Sequence, residues 1–175
     1  SGISKRINDM MQFKKGADLT GVDPEVALSI EDSYTMVVSR YPQLKGEFKG
    51  LSSDTKGCYA DCYPHSGSIR VNQFYFGDLN KIARTYERDL KTNFHPAGTT
   101  WEAIIIHELG HAIDGYLTRN GVVEMSKGFN VKSASYVIRK KVLKDLKLDK
   151  KHIASEVSQY ATKEDAEFLC KNSIL

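Results

Sequence analysis

Residues 99–114 read Thr99-Thr100-Trp101-Glu102-Ala103-Ile104-Ile105-Ile106-His107-Glu108-Leu109-Gly110-His111-Ala112-Ile113-Asp114. Thr99-x-x-Glu102 has the form of a capping box, so a helix is expected to open there and end between Tyr116 and Gly121. Three consecutive isoleucines cover more than one face, which predicts a helix buried on most sides. Within this apolar run stands a His-Glu-x-x-His pattern. Positions i and i+4 share a helix face, so the imidazoles of His107 and His111 can point at one ion. Zinc accepts imidazole nitrogen at about 2.0–2.1 Å. Glu108 lies about 100° round the helix from His107, where its carboxylate can take a proton from a zinc-activated water. Gly110 costs about 1 kcal/mol of helix propensity relative to alanine, which makes sense if another segment packs closely over the helix. The structural alternative is a buried helix whose histidines merely satisfy local hydrogen bonds.

A catalytic zinc takes three protein ligands and keeps one position for water. The extended layout H-E-x-x-H-x-x-G-x-x-H is absent, because Asp114 and Leu117 stand where it needs glycine and histidine. Third-ligand candidates are His65, His95, His152 and carboxylates further along the chain. The last predicted helix offers Glu164 and Glu167, which are three apart and share part of a face, so spacing leaves both open. Asp114 follows His111 by three residues and His107 by seven. It falls on the ligand face and can orient an imidazole from behind, as such carboxylates commonly do; its plainer reading is a solvent-facing aspartate. His95 precedes the helix in a loop, where a turn histidine is the plain reading and a residue lining the site the sharper one.

Outward from this helix the chain has no internal repeat, low-complexity tract or Pro-rich linker. Asp23-Pro24-Glu25 is a helix start: a capping aspartate, a proline at the first helical position, then an acid. Val26, Ile30, Val37 and Tyr41 follow at near-helical spacing, and Pro42 ends the run. Residues 46–66 carry turn signals and predict short strands and loops. Ser68 to Phe76 is rich in β-branched and aromatic residues and reads as a strand. It is either a core strand or an edge along which an extended peptide pairs. Asp78 can cap a helix whose apolar stripe is Leu79, Ile82, Ala83, Tyr86 and Leu90, and Asn93 to Gly98 is a loop. Three further helices are expected: one from Ser133 or Ser135 with Ile138, Val142 and Leu146 on one face, one from Asp149 to Val157, and one from the Thr162-x-x-Asp165 capping box to about Lys171. The lysine-rich stretches Arg139-Lys140-Lys141 and Lys147 to Lys151 read as solvated helix faces.

The full chain has 175 residues and a mass of 19.7 kDa, which suits a single domain over 1–175. At 41% hydrophobic and 27% charged it has the composition of a folded globular protein rather than a disordered one. A net charge of +3 is too small to argue for nucleic acid as a partner. No run of 18 or more apolar residues exists, so no membrane association is expected, and no signal peptide is visible. The compartment stays open, and a monomer is expected. Cys58, Cys62 and Cys170 are too few for a disulfide framework. Cys58-x-x-x-Cys62 followed by His65 has loose metal-ligand character but lacks a fourth ligand nearby; two ordinary thiols are the plainer reading.

His-Glu-Leu-Gly-His-Ala-Ile-Asp (107–114) together with Ser-Gln-Tyr-Ala-Thr-Lys-Glu-Asp-Ala-Glu-Phe-Leu (158–169) resembles zinc metallopeptidases of the anthrax lethal factor type. It is similar also to the Pro-Pro endopeptidases and to related metallopeptidase domains of phage and mobile elements of Gram-positive bacteria. In that group an H-E-x-G-H-A-x-D helix is followed by a tyrosine, then by a glutamate ligand seven residues later; Tyr160 and Glu167 have that spacing. The resemblance implies that Glu167, not Glu164, is the third zinc ligand, and that Tyr160 stabilises the oxyanion. It covers about residues 67–170, and the first 66 residues carry none of it. Cys170-Lys171 departs from the Ala-Glu usual at that point. The implied fold is a zincin-like α+β domain, with a small mixed sheet, an active-site helix and a helical C-terminal part. The implied function is a zinc metalloendopeptidase with one zinc per chain and a peptide or protein substrate. The alternative is a catalytically weak or inactive binding or assembly module of a phage or mobile-element protein that keeps the fold.

Overall fold

The computed structural model describes residues 2–120 together with Lys144. In this part the chain is α+β. The elements, in order, are α1 (Gly2–Met11), α2 (Pro24–Arg40), a 3-10 turn (Pro42–Leu44), β1 (Leu51–Asp54), β2 (Ala60–Tyr63), β3 (Ser68–Asn72), α3 (Gln73–Phe76), α4 (Leu79–Lys91) and α5 (Ala103–Arg119). Helices expected from the sequence beyond residue 120 lie outside the described residues. No helix among the described residues is long and apolar enough to cross a membrane.

α2 starts where its signals place it. The Asp23 carboxylate accepts from the Glu25 backbone N–H at 2.9 Å, and Pro24 fills the first turn without an orphaned donor. Val26, Ala27, Ile30, Tyr34, Val37 and Val38 form its buried stripe, and the helix ends at Arg40, two residues before Pro42. α1 has no cap signal and was not legible in the sequence. Its residues Ile7 and Met11 are fully buried and lie four apart on one face, so packing against α2 rather than propensity holds it. The Arg6 guanidinium clasps Glu31 of α2 through two hydrogen bonds of 2.7 Å.

The sheet is mixed, with order β1-β3-β2: β1 runs parallel to β3 and β2 antiparallel. Ile69 and Val71 of β3 are fully buried. Arg70 alternates to the other face, where it bonds Asp54 of β1 at 2.9 Å and Asp61 of β2, tying all three strands. The outer side of β1 is covered: Ala17 bridges Leu51, and the Asp18 N–H donates to the Leu51 carbonyl at 2.9 Å.

Two sequence expectations change here. The strand expected over residues 68–76 stops at Asn72. The Asn72 side chain accepts from the Phe74 N–H at 2.9 Å and turns residues 73–76 into a helical turn. β3 is also the central strand, so it has no edge to offer a peptide; β2 is the edge strand next to α5 among the described residues.

α5 lies across the sheet and packs chiefly on β2. Ile104, Ile105, Leu109, Ala112 and Ile113 enter a hydrophobic cluster that begins at Ile7 and so spans the N-terminal segment as well. Each fully buried leucine or isoleucine contributes about 1.5–3 kcal/mol. One close approach over the helix occurs at Gly115. A Cβ there would collide with the backbone carbonyl of Pro64, in the turn after β2. Arg119 donates to that same carbonyl at 2.5 Å. Gly115→Ala should therefore cost about 1–3 kcal/mol, since the obstructing atom is backbone and cannot rotate away. Urea denaturation checks this; an unchanged midpoint would show that α5 does not rest on the Pro64 turn.

Candidate metal centre

α5 begins three residues later than the capping box suggests, with Glu102 rather than Thr99 at the cap position. The Thr99 hydroxyl donates to the Pro96 carbonyl at 2.7 Å and meets the Tyr86 hydroxyl at 2.8 Å, so it caps nothing. A turn through Thr100 and Trp101 leads in instead, with the Ala103 N–H on the Thr100 carbonyl and the Ile104 N–H on the Trp101 carbonyl. The helix then runs to Arg119 and is closed by Asn120, within the expected range.

The rotation of α5 decides what its polar residues can do. Its apolar arc is fixed in the core by Ile105, Leu109 and Ala112, at 0–1% exposure. At about 100° per residue, His107 and His111 then share the face of the helix turned away from that arc and are half-buried. Their Nε2 atoms face each other at 3.0 Å, with the rings at 89° and centroids 4.6 Å apart. Two nitrogens held at about 2.0–2.1 Å from one tetrahedral ion would be about 3.3 Å apart. The pair thus needs only a few tenths of an ångström to hold a single cation with both lone pairs. The donor set, two imidazoles with their tips converging, suits zinc chemistry.

Glu108 is 7% exposed and Asp114 4% exposed, so both carboxylates are buried on the helix. Two acids inside a protein are costly to keep unless they serve a cation or a hydrogen-bond network. Asp114 is therefore not the solvent-facing aspartate of the plain reading. Its position about two turns beyond His107, on nearly the same line of the helix, suits support of the site. Gly110 is buried as well.

Glu108 also makes itself felt across the helix interface. The Tyr34 hydroxyl of α2 is fully buried, and its ionisation is pushed well above the ordinary range by burial first, then by Cys62 and Glu108. The Cys58 thiol is raised by burial, then by Asp61, with Glu108 adding to it. Tyr34, Cys58, Cys62 and Glu108 therefore share one electrostatic neighbourhood between α2, the β2 edge and α5. Nothing in the sequence marks Tyr34 as part of this neighbourhood, and the near-helical run read there passes over it.

Other sequence candidates fall elsewhere. His65 is exposed in the turn after β2, and His95 is packed among aromatic rings. Among the described residues no third histidine, cysteine, aspartate or glutamate completes a metal-binding group, either with His107 and His111 or around Cys58, Cys62 and His65. Cys58 donates its thiol to the Ala60 carbonyl at 2.9 Å, and no disulfide joins it to Cys62. His152, Tyr160, Glu164 and Glu167 lie outside the described residues. No protein-family profile, curated protein or solved structure matches the chain.

One consequence is measurable without any metal. The thiolate is the nucleophile in alkylation, and Cys58 is held toward the thiol. At pH 8 iodoacetamide should label Cys58 more slowly in the folded chain than in the urea-unfolded chain, as read by peptide mass spectrometry. Equal or faster labelling in the folded chain would contradict the burial of this thiol beside Asp61.

Proposed function

We propose that this chain is a zinc-dependent metalloendopeptidase with a zincin-like fold, binding one zinc per chain. The observation that carries the reading is the convergence of the His107 and His111 Nε2 atoms at 3.0 Å, beside a buried Glu108, on one helix. A purely structural zinc has no use for Glu108, since such sites close with four ligands and need no base.

In this reading His107, His111 and Glu167 hold the ion. Zinc, when bound there, would polarise the scissile carbonyl and acidify the attacking water. Glu108 accepts the proton of that water and later delivers it to the leaving amine. Its burial favours this work, because a carboxylate with few competing waters interacts more strongly with the group it faces. Tyr160 donates a hydrogen bond to the oxygen that becomes negative as the carbonyl is attacked. Asp114 orients the imidazole pair from behind. β2, the edge strand beside α5, offers an extended peptide substrate a main-chain partner, a role that β3 cannot fill from the middle of the sheet. Tyr160 and Glu167 enter through the resemblance of the 158–169 segment.

Two experiments test these assignments. Glu108→Ala should leave zinc bound while cleavage of a peptide library falls by about 10²–10⁴-fold; unchanged cleavage would remove Glu108 from the reaction. Glu167→Ala should lose zinc, and Glu164→Ala should keep it, by metal analysis after dialysis. The reverse result would move the third ligand one turn back along the chain.

A further inference from the structure

The loop between α4 and α5 is held down by rings. His95 lies flat on Tyr86 of α4, with centroids 4.0 Å apart and planes at 10°. Phe94 meets the imidazole edge-on at 4.9 Å, and Tyr59 lies tilted at 6.1 Å. The platform is itself anchored. Because the Thr99 hydroxyl gives its hydrogen to Pro96, the Tyr86 hydroxyl is the donor in its 2.8 Å bond to Thr99. Tyr86 thereby grips the far end of the loop through its oxygen while its ring face carries His95. The Nε2 atom of His95 is buried and has no hydrogen-bond partner among the described residues.

Each element around the imidazole contributes a titratable or charged group. α4 presents Tyr86 and Asp89, and the Asp89 carboxylate takes hydrogen bonds from the Tyr59 hydroxyl at 2.8 Å and from Arg88 at 3.1 Å. The segment entering β2 presents Tyr59, backed by Tyr75 of α3 at 4.4 Å. Glu102, at the approach to α5, acts on Tyr86. Asp89 is the carboxylate that favours a charged His95, and its charge is already shared with Arg88 and Tyr59. Protonation would give Nε2 a charged N–H with no hydrogen-bond acceptor among the described residues, and burying an unmatched charge is costly.

We propose that His95 is a pH-sensitive latch: the neutral ring seals residues 93–99 onto Tyr86 and Tyr59, and the protonated ring releases them on acidification. The sense follows from linkage. Burial holds the His95 pKa below its ordinary value, against the smaller pull of Asp89. The stability of the docked loop is then complete above the unfolded value of about 6.5 and is lost as pH falls toward the folded value. Release is local, because Trp101 and Ile104 stay buried and anchor the start of α5. The freed segment is the one that leads into the helix bearing His107. The inference does not depend on the peptidase reading.

The test uses the full chain, as wild type and as His95→Phe, which keeps a flat ring and removes the titration. Hydrogen exchange of the 93–99 peptides is followed by mass spectrometry from pH 7.5 to 5, corrected for intrinsic exchange. Wild-type protection should drop by about tenfold or more, whereas His95→Phe should stay within about twofold. Loss of zinc ligation by other histidines affects both chains alike and cancels. In parallel, the imidazole resonances of wild type and His95→Phe identify His95 by its disappearance, and its titration midpoint should lie below 6.5. If His95→Phe fails to fold, Tyr86→Leu replaces it and should show an unprotected loop already at pH 7.5. Protection that falls equally in wild type and His95→Phe, protection that does not fall, or a His95 midpoint at or above 6.5 would each overturn the latch.

Discussion

The rotation of α5 about its own axis is the constraint on which the rest depends. Ile105, Leu109 and Ala112 point into the core, and burial of that arc leaves one orientation for every other side chain on the helix. His107 and His111 then meet on the face turned away from that arc, and Glu108, between the two faces, is drawn under cover. A turn of the helix by one residue, about 100°, would expose apolar surface and scatter the polar set. The clamp at Pro64, which meets Gly115 and accepts from Arg119, fixes the far end of the same helix. The polar geometry is thus a by-product of apolar packing, and it is as precise as that packing.

The N-terminal segment, for which the sequence suggested no relative, belongs to this arrangement rather than standing apart from it. α2 contributes Tyr34 to the neighbourhood of Glu108, and α1 braces α2 through Ile7, Met11 and the Arg6–Glu31 pair. β1 is covered by the chain at Ala17, so the open side of the sheet is directed to β2 and α5. Substitutions in α1 or α2 therefore act on the site through the shared core, well beyond the motif itself.

Much of this was legible in the residues. The Asp23-Pro24 start, the Asp78 cap, the apolar stripe of α4 and the His-Glu-x-x-His face are local signals, set by i,i+3 and i,i+4 neighbours. The misreadings come from side chains whose partners are remote or in competition. Asn72 uses its amide to end β3, and Thr99 gives its hydroxyl to Pro96 and Tyr86 in place of the helix end. Sheet order is non-local too, so nothing in the run Ser68–Phe76 announced that its strand would be central. The close approach at Gly115 had no signal of its own either, because the turn at Pro64 that meets it is placed by the sheet. The ring stack on His95 joins residues from three separate segments and has no pattern in the sequence.

The central claim is that His107 and His111 share one zinc ion. X-ray absorption at the zinc edge, on the purified full chain loaded with one equivalent of metal, tests it most directly. The account predicts a first shell of nitrogen and oxygen near about 2.0–2.1 Å, with the outer-shell scattering of two imidazoles and no sulfur. A shell containing sulfur near about 2.3 Å would move the metal to Cys58 and Cys62, and an aquo-zinc spectrum would show that the two histidines hold no ion.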